Sequence, residues 1–209
     1  MTSRDHQKTP MFVLGLTGSI GMGKSTTAKL FMEVGVPVYD ADATVHAIYE
    51  SEAGPAVEAA FPGSTVDGRV DRQKLSGHVV GNAAAMTRLE SIVHPMLRAH
   101  EQAFLREVEE SGAPVAVLDI PLLYETGADS RVDAVAVVTT TPQIQRERIL
   151  ARQTMTPDKL EAILARQLPD AEKRRRADFV VDTGDGLEPV RQQIADILGK
   201  VATMPTRRR

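Results

Sequence analysis

A short apolar run, Phe12-Val13-Leu14-Gly15-Leu16, leads almost directly into Gly18-Ser19-Ile20-Gly21-Met22-Gly23-Lys24-Ser25, and a helical pattern over residues 26–32 follows at once. The octapeptide fits G-x-x-x-x-G-K-[ST], in the strand–loop–helix setting that a phosphate-binding loop requires. Each position has a physical task. Glycines let backbone N–H groups turn inward around phosphate oxygens, because only glycine adopts the needed dihedrals cheaply. The helix N-terminus adds unpaired N–H groups and the positive end of its dipole. Lys24 reaches the outer phosphates as a point charge, and Ser25 offers a hydroxyl to Mg²⁺. Gly21, Met22, Gly23, Lys24, Ser25 and Thr26 are therefore the candidate nucleotide-binding residues, and the pattern implies binding of a nucleoside triphosphate.

This loop belongs on a parallel sheet, and the rest of the chain alternates accordingly. Strands are expected over residues 12–16, 36–39, 114–118, 134–138 and 179–181. The run Pro114-Val115-Ala116-Val117-Leu118 is apolar on every residue, the mark of a strand covered on both faces. A helix from Gly23 to Val34 should stop at Gly35. Residues 43–52 read as helical, and a Gly/Pro-rich turn follows over 60–71. Residues 72–110 hold too many apolar helical positions for one crossover, and the pattern restarts after Pro95. The expected fold is thus α/β: a parallel sheet flanked by helices, with an inserted helical subdomain over 61–111 and an arginine-bearing helical lid over 143–175. The sheet core comprises 11–60, 112–142 and 176–203, all within one domain spanning 11–203. Residues 1–10 and 204–209 read as flexible tails.

Composition narrows the class. A chain of 209 residues can bury a full core. The absence of Cys excludes disulfides and thiolate metal sites and fits a cytoplasmic setting. A net charge of −3 argues against a general nucleic-acid binder. Residues 1–10 lack the apolar segment of a secretory signal, and no apolar run approaches the ~20 residues needed to cross a membrane. Met204–Arg209, with its three terminal arginines, reads as a frayed end that can also touch an anionic partner. A monomer or weak homo-oligomer is expected.

In parallel α/β sheets, ligands sit at the carboxyl ends of the strands. That rule selects three acids: Asp40 and Asp42 after the second strand, and Asp119 after the third. Phosphoryl transfer to an alcohol needs an acceptor for the hydroxyl proton, and Asp42 or Asp40 can serve. One of them can instead cap the next helix; Asp42 stands just before Ala43-Thr44-Val45, a good N-cap position. Asp119 reads as a contact to Mg²⁺ or a phosphate-bound water, or as a turn acid leading into Pro121. Arg146, Arg148 and Arg152 fall within one helical stretch, Arg166 on the next, and Lys173-Arg174-Arg175-Arg176 follow. As a set they suit a lid that brings guanidinium groups to a transferring phosphoryl group; singly, each suits a solvated basic face. His94, before Pro95, reads more as a structural hydrogen-bonder than as a proton shuttle. Tyr39, Tyr124 and Phe104 read as core or pocket wall.

Taken together, these segments resemble the dephospho-CoA kinase family over residues 12–190. Leu16-Thr17-Gly18 through Thr26 looks like that family's phosphate-binding loop, and Asp40-Ala41-Asp42 is similar to its D-A-D. Leu89-Glu90-Ser91-Ile92-Val93-His94-Pro95 resembles L-E-x-I-x-H-P, and Asp119-Ile120-Pro121-Leu122-Leu123-Tyr124-Glu125 resembles D-x-P-L-L-[FY]-E. Gln145-x-x-Arg148-x-x-x-Arg152 resembles the start of its lid, and residues 177–182 its last strand. Thr183 departs from the usual Asn, and Gln153 from a common Asp. The resemblance implies ATP-dependent phosphorylation of the ribose 3′-hydroxyl of dephospho-CoA, with ATP and Mg²⁺ as cofactors. It implies Asp42 as base and Lys24 and Arg152 as phosphate stabilisers. Asp40, His94 and Tyr124 would contact the acceptor, and Ser25 and Asp119 the metal. Three rivals stay in view: a nucleotide or small-metabolite kinase, a GTPase-type switch, and an RNA- or protein-binding module using the 173–176 basic run. The chain has no N-K-x-D guanine-reading sequence, which weighs against the switch.

Overall fold

A computed structural model of the chain describes residues 10–151, 156–165 and 167–207. It separates into two compact units. One comprises residues up to Tyr39 and from Val108 onward, the other Asp40–Glu107.

The first unit is built on β1 (Phe12–Thr17), which is buried throughout. α1 (Lys24–Glu33) follows it, and β2 (Val38–Asp40) lies at the edge of the sheet, whose strand order is β2-β5-β1-β6-β7. β1 pairs in parallel with β5 (Val115–Asp119) and β6 (Ala134–Thr139), and β6 with β7 (Phe179–Asp182). Alternation along β1 sends Phe12, Leu14 and Leu16 into one layer with Leu30 and Phe31 of α1 and Ile194 of the C-terminal helix, Leu187–Val201. Two covered faces explain why the strands read as unbroken apolar runs. α1 ends as expected at Gly35. Its N–H bonds Met32 O, and Val36 N–H bonds Phe31 O, the paired closure that needs a left-handed residue.

The second unit contains α2 (Ala41–Glu50), α3 (Gly54–Ala60), the hairpin strands β3 (Thr65–Val66) and β4 (Arg69–Val70), and α4 (Arg72–Val79). α5 (Ala83–Ser111) carries the boundary between the units within it. Ile48, Val57, Phe61, Leu75, Leu89 and Val93 share its core. Because α2 and α3 join that core, the unit begins at Asp40, where the helical subdomain was expected from residue 61. The 60–71 turn holds a hairpin whose tip, Asp67-Gly68, has positive φ at both residues (51° and 78°), the type I′ geometry that Asp-Gly favours. The helix also does not restart at Pro95. α5 runs through it, giving up the one N–H bond that proline cannot donate.

In the first unit, α6 (Pro142–Leu150), α7 (Pro157–Leu164) and α8 (Asp170–Arg176) precede β7, and the C-terminal helix Leu187–Val201 is α9. The end of the chain is described to Arg207. Met204 packs on the core, Arg207 N–H bonds Asp133 Oδ1 (2.7 Å), and its guanidinium meets Asp178 (2.9 Å). No helix among the described residues is long and apolar enough to cross a membrane.

Candidate active site

The loop between β1 and α1 is shaped by glycines that have no substitute. Gly21 and Gly23 sit at φ of 80° and 95°. A Cβ on Gly21 would lie 2.6 Å from the Ile149 side chain, and one on Gly23 would lie 3.0 Å from the Thr183 hydroxyl. Gly23 is also the N-cap of α1, and its carbonyl accepts the Thr26 and Thr27 N–H groups. Lys24 thus opens the helix, next to the loop.

Register brings Asp119 to the same place. Leu16 pairs with Asp119, so the end of β5 stands beside the entry to the loop. The Lys24 ammonium donates to Asp119 Oδ1, and both groups are largely buried. Thr17 Oγ1 donates to the Pro121 carbonyl at 2.9 Å, tying the loop entry to the turn after β5. Ser25 and Thr26 are exposed at the helix start. A serine hydroxyl and a carboxylate are hard oxygen donors of the kind Mg²⁺ takes alongside substrate phosphates. Among the described residues no group of three or more His, Cys, Asp and Glu could hold a metal alone.

Behind the loop, Thr183 organises a polar cluster. Its Oγ1 donates to the Met22 carbonyl (2.8 Å) and accepts from Arg148 Nη1 (2.7 Å), while Arg148 Nη2 donates to the Thr183 carbonyl (2.7 Å). A cavity of about 280 Å³ opens here between Gly21, Gly23, Thr26, Arg148, Thr183 and Leu187. A flat guanidinium and a rim of small residues suit a planar heterocycle joined to phosphates on the loop.

The remaining predicted residues are placed as follows. In the second unit, Asp40 is the N-cap of α2, accepting the Ala43 N–H at 2.9 Å, so the cap is Asp40 and not Asp42. Asp42 lies in the first helical turn, exposed, with no side-chain hydrogen bond among the described residues. His94 is exposed on α5. The same unit carries an open cavity of about 650 Å³ lined by Glu50, Asp67, Arg69, Asp71, Arg72 and Gln73. In the first unit, Tyr124 is buried with Arg176 over its ring (4.2 Å), and its hydroxyl has no partner among the described residues. Burial pushes its pKa up to about 12, against the opposing pull of Arg176.

The basic run after α7 is taken up by acids. Lys173 pairs with Glu125, Arg174 with Asp170, Arg175 with Glu172, and Arg176 with Asp129. Arg152 and Arg166, like Gln153, lie outside the described residues. Sequence reasoning marked Thr183 only as a departure from the family's Asn, and passed over the Lys173–Glu125 pair. Both are contacts between distant segments, and only the motif position of each was visible.

The comparisons agree with this geometry. The family model for dephospho-CoA kinase matches residues 12–188. A dephospho-CoA kinase of Rhodopseudomonas palustris (strain HaA2) is 74% identical over 198 residues, 95% of this chain and 100% of the relative. One from Nitrobacter winogradskyi is 71% identical over the same shares. The crystal structure of TT1252 from Thermus thermophilus superposes with a TM-score of 0.80 at 32% identity, covering 91% of this chain and 97% of that one. The dephospho-CoA kinase from Campylobacter jejuni shares the fold at a TM-score of 0.62 and 24% identity, over 90% and 96%. The chain belongs to the dephospho-CoA kinase family.

Proposed function

We propose that the chain transfers the γ-phosphoryl group of ATP to the ribose 3′-hydroxyl of dephospho-CoA, giving coenzyme A and ADP, in the cytoplasm. The observation that carries this is the Lys24–Asp119 pair at the mouth of a phosphate-binding loop, in a chain of this family. Transfer forms a bond between the acceptor oxygen and the γ-phosphorus as the bond to the leaving ADP oxygen breaks, and the hydroxyl proton must go to a base.

Asp42 is assigned as that base. Its carboxylate is exposed, and Asp40 already performs the capping that would otherwise occupy it. Lys24 offsets phosphate charge, and Arg152 is assigned to the transferring group by its motif position. Ser25 and Asp119 would hold Mg²⁺, which when bound neutralises charge on the β- and γ-phosphates. The cavity at Arg148 and Thr183 takes the nucleotide base. Asp40 and His94 serve the acceptor, and Tyr124 is assigned to it by motif position, as part of the wall behind it, since the residue is buried beneath Arg176. Small molecules are the partners in this reading, without nucleic acid or membrane.

Asp42→Asn tests the assignment. It should lower kcat by roughly 10²-fold or more while nucleotide binding persists, the loss expected for a general base. An unchanged kcat would remove Asp42 from that role and move it to Asp40.

A further inference from the structure

Ile20 stands in the middle of the phosphate-binding loop, and both polar groups of its main chain are held by side chains. Its N–H donates to Gln167 Oε1 at 3.2 Å. Its carbonyl accepts from Gln145 Nε2 at 2.8 Å. Gln145 lies on α6, three residues before Arg148, and Gln167 lies just beyond α7. The two ends of one segment, residues 145–167, therefore close on a single residue of the loop.

The fold does not need these bonds to place the loop. β1 fixes one end of it through pairing on both sides, and α1 fixes the other. What the glutamines add is a link between the loop and the segment that begins on α6 with Arg146 and Arg148. One glutamine acts as acceptor and the other as donor, so they grip the Ile20 main chain from its two polar ends.

We propose that Gln145 and Gln167 are positioning residues for phosphoryl transfer: together they index both ends of the 145–167 segment to the phosphate-binding loop. The inference rests on the kinase reading and deepens it. A loop shaped around phosphates presents Ile20 in one orientation, and the clasp passes that orientation to the segment bearing the arginines. Transition-state charge is then met by groups held in place beforehand. Each glutamine acts through the arginines and the loop, so its loss falls on kcat and leaves acceptor binding alone.

Gln145→Met and Gln167→Met keep side-chain length and remove the hydrogen bonds, and Gln167→Asn keeps the amide but falls short of Ile20. Each should lower kcat about tenfold, with the KM for dephospho-CoA within about twofold of the parent. The Met/Met double variant should lose no more than about threefold beyond either single change, because one released end already frees the segment. Limited trypsin digestion gives a second readout that needs no turnover. ATP–Mg²⁺ should slow cleavage within residues 145–167 in the parent chain and fail to do so in the variants. A kcat within twofold of the parent would overturn the proposal. So would ATP protection that survives in the variants, or losses that multiply in the double variant. A parent chain that does not phosphorylate dephospho-CoA would instead refute the kinase reading, and the digestion comparison would still decide the clasp.

Discussion

Lys173→Met should unfold this protein far more easily than its conservative shape suggests. Lys173 has no exposed surface, and its ammonium lies 2.9 Å from Glu125 Oε1, a side chain only 13% exposed. The same oxygen accepts the Leu168 N–H at 2.8 Å, while Oε2 is buried with no partner among the described residues. Burial pushes the Glu125 pKa up, but the bonds from Lys173 and Leu168 outweigh it and hold the carboxyl below its ordinary value. Methionine keeps most of the volume, so the cavity contribution is small. What remains is a buried carboxylate without its cation, which costs about 3–5 kcal/mol. For a chain of this size that lowers Tm by roughly 6–20 °C.

Chemical and thermal unfolding followed by circular dichroism give both numbers. The sign of the pH dependence is fixed. A depressed folded pKa contributes stability above the unfolded value, about 4.3, and that contribution is lost as pH falls through the folded value. The gap between parent and variant should therefore narrow in acid, as protonation removes the stranded charge. Glu125→Leu combined with Lys173→Met should return to within ~1–2 kcal/mol of the parent, since a buried ion pair and an apolar pair are often near equal. A loss below about 1 kcal/mol in Lys173→Met, or a double variant no better than the single, would refute the reasoning.

Tyr124→Phe keeps the ring beneath Arg176 and removes a hydroxyl that has no partner, so stability at neutral pH should stay level or rise by about 1 kcal/mol, with the KM for dephospho-CoA unchanged. Because the folded Tyr124 pKa is raised to about 12, the parent should lose stability as pH climbs from the ordinary value of 10.0 towards it, and denaturant titrations should show the Phe variant lacking that decline. Thr183→Val removes the donor to Met22 and the acceptor for Arg148. It should raise the KM for ATP about tenfold and cost about 1–2 kcal/mol, read by steady-state kinetics and urea melts.

The site's centre was legible because it is local. The glycines, Lys24 and Ser25 are consecutive, and one strand and one helix place them. β5 and β6 were legible because double burial writes an unbroken apolar run into each, and β7, an edge strand with Val180 exposed, by the short apolar run Phe179-Val180-Val181. Their order, β2-β5-β1-β6-β7, was not, since it depends on which crossover each connection takes. The hairpin at Asp67-Gly68 carried a usable signal that the surrounding Gly/Pro richness obscured. Pro95 was read as a break, yet α5 runs through it, with Leu89 and Val93 before the proline and Met96 and Leu97 after it packed on one core. The contacts of Thr183, Gln145, Gln167 and Lys173 join residues far apart in sequence, and no spacing rule reaches them. Which of Asp40 and Asp42 caps α2 was decided by geometry alone: the Asp40 side chain meets the Ala43 N–H.

The most direct test of the account is acceptor-dependent ADP release. Protein with ATP–Mg²⁺ is given dephospho-CoA, AMP or no acceptor, and the product is identified by mass. The account predicts ADP only with dephospho-CoA, in step with coenzyme A. Equal ADP release without an acceptor, or preferential transfer to AMP, would contradict it.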